Sequence, residues 1–282
     1  MRIVVTGAAG MLGVDVCAAA AEAGFDVHGL ARAELDITDA GAVGAAISRL
    51  SPEVIVNCAA WTDVDGAESG YEEALAVNGV GAGFLARAAA DAGAWVVHVS
   101  SDYVFDGSKS SPYVESDAVG PLSGYGRSKL AGEREVAAAA PDSHTIVRSS
   151  WLFGTGGHCF PKTILRIAGE RDMITVVDDQ VGCPTFTGHL AGALLSLAAQ
   201  RVPGVVHVAG GGECSWFEFA SEIVSSAGLD CEVQPGTTAA MERPAPRPAY
   251  SVLRSERGAG VPSLPDWHEG LRAFMSARVG AR

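Results

Sequence analysis

Short runs of apolar, β-branched residues alternate along the first half of the chain with longer Ala-rich segments. The runs are continuously apolar, which is typical of parallel strands buried on both faces. Five strands are predicted at residues 3–6, 25–29, 54–57, 95–100 and 145–148. Helix-forming residues dominate the segments between them, and four helices are predicted at residues 12–23, 40–50, 72–92 and 126–140. This alternation predicts an α/β fold with a doubly wound parallel sheet.

The pattern changes after about residue 152, where Gly- and Pro-rich loops separate shorter apolar runs. Residues 205–208 and 217–227 predict one more strand and one more helix. We therefore expect a Rossmann-type domain over residues 1–152 and mainly a smaller C-terminal substrate-binding lobe over residues 153–282. Within the second part, residues 186–210 or so are expected to return to the first domain. Such a lobe would cover the carboxyl edge of the sheet, where ligands of these folds bind.

The amino-acid composition argues against several classes of binding partner. The chain carries 33 acidic and 20 basic residues, a net charge of −13, which argues against nucleic acid or an anionic membrane as a partner. No run of about 18 apolar residues is present to cross a membrane, and the N-terminus has the pattern of a strand rather than of a signal peptide. The six cysteines are scattered, with no spacing typical of a zinc site or a disulfide framework. These features predict a cytoplasmic protein with a small-molecule ligand.

Three glycines follow the first predicted strand and open the first predicted helix. In the spacing Gly-x-x-Gly-x-x-Gly, the first glycine permits a tight turn, the second lets the backbone approach a diphosphate, and the third allows close helix packing. N–H groups of the first helical turn then face the phosphates. Such a triplet also fits an ordinary turn, but its place in an alternating chain favours a nicotinamide cofactor. The residues expected to line that cofactor are Gly7, Ala9, Gly10, Met11, Leu12 and Gly13.

The end of the second predicted strand bears on the choice of cofactor. An acidic residue at this place holds the ribose hydroxyls of NAD, whereas an Arg can bind the 2′-phosphate of NADP. The strand ends in His-Gly-Leu-Ala-Arg, with Arg32 and no acid before Glu34. Arg32 therefore favours NADPH, and NADH remains an alternative because a solvated loop Arg would have the same sequence. Asp36 and Ile37 follow and are expected at the adenine edge.

Tyr125 and Lys129 are four residues apart in a predicted helix, which places both side chains on one face. A phenol with a pKa near 10 is a poor acid at neutral pH, and a neighbouring ammonium group is expected to lower that pKa. Lys129 could also hold the nicotinamide ribose. Ser101 follows the preceding strand, where its hydroxyl could stabilise the oxygen of a carbonyl under reduction. Together the three side chains predict a carbonyl reductase site.

These motifs resemble those of the extended short-chain dehydrogenases/reductases, and within them those of the dTDP-4-dehydrorhamnose reductases. The resembling segments cover residues 54–68, 99–107, 121–133, 147–154, 177–185 and 243–253. The resemblance implies NAD(P)H-dependent reduction of the C4 keto group of a dTDP-4-keto-6-deoxy sugar, foremost dTDP-4-dehydro-L-rhamnose to dTDP-L-rhamnose, with the proton from Tyr125. It adds Ala59, Ala60 and Trp61 to the residues expected at the cofactor. At the sugar nucleotide it implies Ser101, Asp102, Tyr125, Trp151 and Arg247.

The sequence departs from this family at two places. The family usually has Thr where this chain has Ser101, which retains the hydroxyl. Some members bridge two subunits through a magnesium ion held by acidic residues, so a homodimer is a further expectation. Asp15 could match one of these acids, but residues 187–190, Thr-Gly-His-Leu, lack the acidic pair. No metal site is therefore predicted.

Three alternatives share parts of this pattern. One is a sugar-nucleotide dehydratase or epimerase of the same fold with tightly held NAD. Dehydratases of this type have an Asp-Glu pair after the hydroxyl residue, whereas here Asp102 and Tyr103 follow Ser101. A related antibiotic-pathway reductase, such as one that forms dihydrostreptose, would act on another dTDP-4-keto hexose. A non-catalytic subunit, like the reductase-like partner of methionine adenosyltransferase, need not retain the hydroxyl, phenol and ammonium groups.

Overall fold

The computed structural model describes residues 1–258 and 260–280. The first part of the chain folds into β1 (Arg2–Thr6), α1 (Met11–Glu22), β2 (Asp26–Leu30), α2 (Ala40–Leu50), β3 (Val54–Asn57), α3 (Gly66–Ser69), α4 (Tyr71–Leu75), α5 (Ala82–Asp91), β4 (Trp95–Ser101), α6 (Gly124–Ala139) and β5 (His144–Ser149). The predicted strands and helices of this part are confirmed to within two residues at each end, with one exception. The helix predicted over residues 72–92 is interrupted by a π-helical turn at Ala76–Gly81, which separates α4 from α5.

The second part combines short strands with four further helices and one turn of helix near residue 240. Its elements are β6 (Leu152–Phe153), α7 (Phe160–Ala168), β7 (Met173–Val177), β8 (Val181–Gly182), β9 (Thr185–Phe186), α8 (Thr187–Gln200), β10 (Gly204–His207), β11 (Cys214–Ser215), α9 (Trp216–Ser226), β12 (Glu232–Gly236), α10 (Thr238–Met241) and α11 (Trp267–Gly280). The strand and helix predicted here are confirmed as β10 and α9, each shifted by one residue. The short strands pair as β6 with β9, β7 with β12 and β8 with β11.

The central sheet confirms the predicted parallel, doubly wound architecture. Its six strands lie in the order β2-β1-β3-β4-β5-β10, and every pairing is parallel. The direction in which the chain adds strands reverses between β1 and β3, and the crevice at such a reversal is where ligands of these folds bind. The loops that follow β1 and β3 therefore meet at the candidate site.

Alternate residues of each central strand face opposite sides of the sheet, and both sides are buried. Ile3 and Val5 of β1 belong to a core formed with α1 and α8, whereas Val4 belongs to a core formed with α2, α5 and α6. Burial on both faces explains why the strands are continuously apolar. The second part has a core of its own that is rich in aromatic rings, including Phe153 and Phe219. No helix in the described ranges is long and apolar enough to cross a membrane.

Candidate active site

The turn after β1 brings backbone against backbone at the crevice. Gly7 has φ +67°, in the left-handed region, and a Cβ there would lie 2.6 Å from the backbone N of Ala59. A Cβ at Gly13 would overlap the carbonyl oxygen of Gly7 and lie 2.8 Å from Cα of Ala8. The N-terminus of α1 after Gly10 has no side-chain cap and no acidic residue in its first turn. An uncapped helix start beside a tight glycine turn fits a dinucleotide diphosphate.

The loop after β3 is tied to α6 by one buried amide. The backbone N of Trp61 donates to Oδ1 of Asn78 at 2.9 Å, and Nδ2 of Asn78 donates to the Trp61 carbonyl at 3.1 Å and to Oγ of Ser128 at 2.9 Å. Nearer the strand, the backbone N of Ala59 donates to Oδ1 of Asn57 at 3.1 Å. The loop is thus fixed at Ala59 by β3 and at Trp61 by Asn78 and α6, with Ala60 between them. Asn78 was not predicted, although a buried Asn inside a predicted helix is an unusual feature that could have indicated it.

The loop after β2 presents Arg32 to solvent. Its side chain is 85% exposed, and its nearest ionic partner is the Asp36 carboxylate at 3.9 Å. The Asp36 carboxylate accepts from the backbone N and the hydroxyl of Thr38, which lowers its pKa. The side chain of Ile37 is buried in the core against Gly81, so only its backbone could face an adenine ring. Arg32 is therefore available to a ligand, whereas the side chain of Ile37 is not.

Helix α6, which carries Tyr125 and Lys129, starts very close to its neighbours. Ser123 caps it by accepting from the backbone N of Gly126 at 3.1 Å. A Cβ at Gly126 would overlap the carbonyl oxygen of Tyr103. The close approach brings Tyr125 and Lys129 to the carboxyl end of β4, where the Lys129 ammonium donates to the carbonyl oxygen of Val99 at 2.7 Å.

Burial dominates the protonation of Tyr125 and Lys129. It raises the pKa of Tyr125 to about 12, and the hydrogen bond with Ser101 opposes that rise. It lowers the pKa of Lys129 to about 8, and the negative charge of Glu133 opposes that fall. The lowering of the phenol pKa by Lys129, expected from their spacing, is therefore not found. The ammonium group is directed to the Val99 carbonyl instead.

Ser101 and Asp102 form a buried hydroxyl–carboxylate pair beside Tyr125. The Ser101 hydroxyl donates to Oδ1 of Asp102 at 2.9 Å, and the Ser251 hydroxyl donates to Oδ2 at 2.6 Å. Burial raises the pKa of Asp102 to about 6, against the effect of both hydroxyls. Ser251 comes from the chain after α10 and was not predicted, because nothing in its local sequence points to the site.

Arg247 acts electrostatically on Tyr103, a neighbour of Tyr125. The Tyr103 ring meets Tyr125 edge to face, with ring centroids 5.4 Å apart. Burial raises the pKa of Tyr103, and the Arg247 charge opposes that rise. The Arg247 side chain is only 14% exposed and donates to the Asp65 carboxylate at 3.0 Å. Arg243 donates to the same carboxylate at 2.9 Å. The Arg247 side chain, implied at the sugar nucleotide by the resemblance, is therefore largely buried, and its charge is already paired with Asp65.

Trp151 lies where β5 passes into the second part of the chain. Its indole stacks on that of Trp216, with ring centroids 3.6 Å apart and planes 6° apart. A Cβ at Gly182 would lie 2.7 Å from Nε1 and Cζ2 of Trp151, so the ring also lies against this glycine. The backbone of Trp151 has φ +48°, a left-handed conformation that is uncommon for a bulky residue. Packing thus fixes both the backbone and the ring of Trp151, and leaves the side chain half-buried.

The described residues contain no group of three or more His, Cys, Asp or Glu side chains placed to hold a metal ion. All six cysteines are free thiols. Cys58 lies near Lys129; burial raises the pKa of Cys58 to about 12, and the Lys129 charge opposes that rise. The thiol is therefore neutral at physiological pH.

Comparison with known proteins places this site in a family. The family described as "RmlD substrate binding domain" matches residues 1–279. A dTDP-4-dehydrorhamnose reductase of Mycolicibacterium smegmatis is 45% identical, covering 99% of this chain and 86% of that protein. A dTDP-4-keto-6-deoxy-D-glucose reductase of Streptomyces niveus is 41% identical, covering 96% and 95%. The crystal structure of dTDP-4-dehydrorhamnose reductase from Bacillus anthracis in complex with NADP is 37% identical, with a TM-score of 0.95 over 98% of this chain and 99% of that one. The chain therefore belongs to the RmlD substrate binding domain family.

Proposed function

We propose that this protein is an NADPH-dependent reductase of the C4 keto group of a dTDP-4-keto-6-deoxy sugar, foremost of dTDP-4-dehydro-L-rhamnose to dTDP-L-rhamnose. The proposal depends above all on one observation: Ser101, Tyr125 and Lys129 meet at the carboxyl end of β4, beside a glycine turn built for a dinucleotide. The reductases of the family and the NADP-bound relative support the substrate class and the cofactor. NADH is the alternative cofactor.

The protonation states suit reduction rather than oxidation. When bound, the reduced nicotinamide supplies the hydride that adds to C4. Tyr125 is protonated at neutral pH because burial raises its pKa to about 12, so it can donate a proton to O4 and complete the alcohol. The Ser101 hydroxyl turns from Oδ1 of Asp102 and donates to the same oxygen as negative charge develops there. We assign Lys129, whose ammonium donates to the Val99 carbonyl, to the nicotinamide ribose.

The second part of the chain is assigned to the sugar nucleotide. We assign substrate contacts to Asp102, Trp151 and Arg247, and a domain division at residue 152 with residues 186–210 belonging structurally to the first domain. That last assignment is supported by α8, which packs on α1, and by β10, which completes the central sheet. We also propose a cytoplasmic location and a homodimer, the latter on family resemblance alone.

The test is an assay of NADPH oxidation with purified protein and a panel of dTDP-linked 4-keto-6-deoxyhexoses. We expect turnover with dTDP-4-dehydrorhamnose, and NMR of the product should show dTDP-L-rhamnose. A matched reaction with the Tyr125→Phe variant controls for contaminating reductases. Failure of every sugar in the panel, with NADPH binding intact, would contradict the proposal and favour a non-catalytic subunit.

A second candidate function is reduction of a 4-keto sugar that differs in ring stereochemistry. The Streptomyces niveus relative, named for dTDP-4-keto-6-deoxy-D-glucose, supports it because it is nearly as similar as the rhamnose-type relative. The same panel separates the two candidates. A kcat/KM for the D-gluco sugar above that for dehydrorhamnose would favour the second.

A further inference from the structure

A buried ion pair lies directly behind the catalytic residues. Glu133 of α6 accepts from Nε of Arg148 at 2.9 Å and from its Nη2 at 2.7 Å, in a two-pronged contact with a strand-β5 residue. Both side chains are almost inaccessible, at 5% and 6% exposure. Burying such a pair costs desolvation that apolar residues would avoid, so fold stability alone is a weak reason for it.

The position of Glu133 relates it to the reacting groups. Tyr125, Lys129 and Glu133 follow one another at intervals of four residues, which places them along one face of α6. Glu133 also accepts from the Ser100 hydroxyl at 2.6 Å. Ser100 stands in β4 between Val99, whose carbonyl receives the Lys129 ammonium, and the Ser101 hydroxyl. The Glu133 carboxylate thus binds β4 at Ser100, between the Val99 carbonyl that accepts from Lys129 and the hydroxyl of Ser101.

The charges around Lys129 show that its protonation depends on the Glu133 carboxylate. Lys129 is 2% exposed, and burial alone disfavours its charged form. Its other titratable neighbours are uncharged at neutral pH: burial raises the pKa of Cys58 and Tyr125 to about 12 and holds the pKa of His98 in β4 well below its usual range. Glu133 therefore supplies the negative charge that favours the ammonium form.

We propose that Glu133 is a positioning residue of the reductase site: anchored by Arg148, it keeps Lys129 positively charged and holds the end of β4 through Ser100. The inference rests on the proposed roles of Tyr125 and Lys129. It identifies the partner through which the helix keeps its buried lysine charged, and gives the Glu133–Arg148 pair a role beyond folding.

The titration of Lys129 can be measured directly because the chain has only three lysines, Lys109, Lys129 and Lys162. Protein labelled with 13C at lysine Cε gives three side-chain NMR signals, and the Lys129→Met variant assigns the one of interest. In Glu133→Gln, which keeps the shape and the bond to Ser100, we expect the titration midpoint of Lys129 to fall by about one pH unit. Glu135→Gln, an exposed residue of the same helix, is the matched control and should leave it unchanged.

Arg148 would be left unpaired in Glu133→Gln and could destabilise the fold. The double variant Glu133→Gln/Arg148→Met removes both charges and keeps the measurement accessible. The same fall in midpoint is expected there, because the charge that acts on Lys129 is that of Glu133. An unchanged Lys129 midpoint in the folded double variant would overturn the proposal.

The pH dependence of kcat tests the role of Glu133 independently of the NMR titration. With an accepted sugar, the alkaline limb of the kcat profile should move to lower pH in Glu133→Gln, whereas a purely structural role would reduce yield or Tm without moving it. Ser100→Ala removes the bond to β4 but not the charge, so kcat should fall several-fold with the profile in place. The NMR titration needs no substrate, so it can succeed even if no dTDP sugar is reduced, and the two proposals fail separately.

Discussion

The two sides of the proposed site, one assigned to the cofactor and the other to the sugar nucleotide, are built by different means. On the cofactor side, glycines bring backbone against backbone, and a Cβ at Gly7 would lie 2.6 Å from the backbone N of Ala59. On the substrate side, side chains far apart in sequence hold the site together. Arg247 binds Asp65 across 182 residues, and Ser251 binds Asp102 across 149. The first side depends on steric fit and the second on buried charge.

This difference predicts two kinds of response to change. Closely packed backbone segments cannot move apart easily. A Cβ added at a glycine on the cofactor side should therefore disrupt the turn that fits the cofactor. Charge pairs on the substrate side should instead respond in graded and pH-dependent ways. Tyr125 and Lys129 stand between the two sides, on a helix whose own start also depends on glycine.

The largest effect is expected at the residue shared by both sides. Tyr125→Phe removes the proton donor while keeping the ring that packs against Tyr103, so kcat should fall by about two to four orders of magnitude with the fold intact. Stopped-flow or steady-state NADPH oxidation measures it, and circular dichroism checks the fold. A Phe variant with near-normal kcat would remove Tyr125 from the reaction.

The next effect tests the steric side. Gly13→Ala places a methyl group against the carbonyl of Gly7, so the Kd for NADPH should rise about 100-fold. Gly44→Ala in α2 is the matched control, because a Cβ there meets nothing within 4 Å. Fluorescence titration with NADPH compares the two variants. Equal affinities would mean that the glycine turn does not bind the cofactor.

The cofactor side was the part that the sequence could predict. Gly7, Gly10 and Gly13 are close in sequence, and their spacing alone specifies the turn, because the contacts they permit are local. The spacing of Tyr125 and Lys129 likewise specifies one helix face. The central strands could be predicted because burial on both faces leaves a continuous apolar run.

The substrate side depends on information that no local pattern carries. The pairing of Asp65 with Arg247 and of Asp102 with Ser251 arises only when distant segments meet. The pKa of Tyr125 was expected to fall through Lys129, yet burial raises it, and burial is a property of the whole fold. Residues 59–61 likewise depend on Asn78 in a π-helical turn, where the pattern predicted an unbroken helix.

The role of buried charge on the substrate side can be tested through the free energy of unfolding of an Asp102 variant. Its pKa is raised to about 6 in the fold, above the ordinary value of 3.8, so its charged form destabilises the folded state. That cost is absent below about pH 4, grows up to about pH 6 and is constant above. Asp102→Asn removes it, and the free energy of unfolding should rise by about 3 kcal/mol at pH 8.

The same Asp102→Asn variant should gain little at pH 4, where the wild-type carboxyl is already neutral in the fold. Urea unfolding at both pH values measures the difference. A gain that is equal at pH 4 and pH 8 would show that buried charge is not the cause. Turnover should fall as stability rises, because the substitution removes the carboxylate that is proposed to contact the sugar nucleotide.

Arg32 is the exception on the cofactor side, since it acts through a side chain rather than through backbone fit. Its guanidinium is 85% exposed and can pair with the 2′-phosphate of NADPH. Arg32→Ala should raise the KM for NADPH about tenfold and leave that for NADH unchanged, so NADH serves as the internal control. Equal changes with both cofactors would show that Arg32 does not bind the 2′-phosphate.

The smallest effect is expected at Arg247, because its charge is already shared with Asp65. A dianionic sugar nucleotide approaching this acidic protein needs a local positive group, and Arg offers a planar fork that fits phosphate. Arg247→Ala should therefore raise the KM for the sugar nucleotide only about fivefold, with NADPH affinity unchanged, and Arg247→Lys should recover part of the loss. Asp65→Asn should act in the opposite direction and lower that KM, because it releases the Arg247 charge. If neither Arg247→Ala nor Asp65→Asn changes the KM, the pair only joins the loop to the domain, and the diphosphate binds elsewhere.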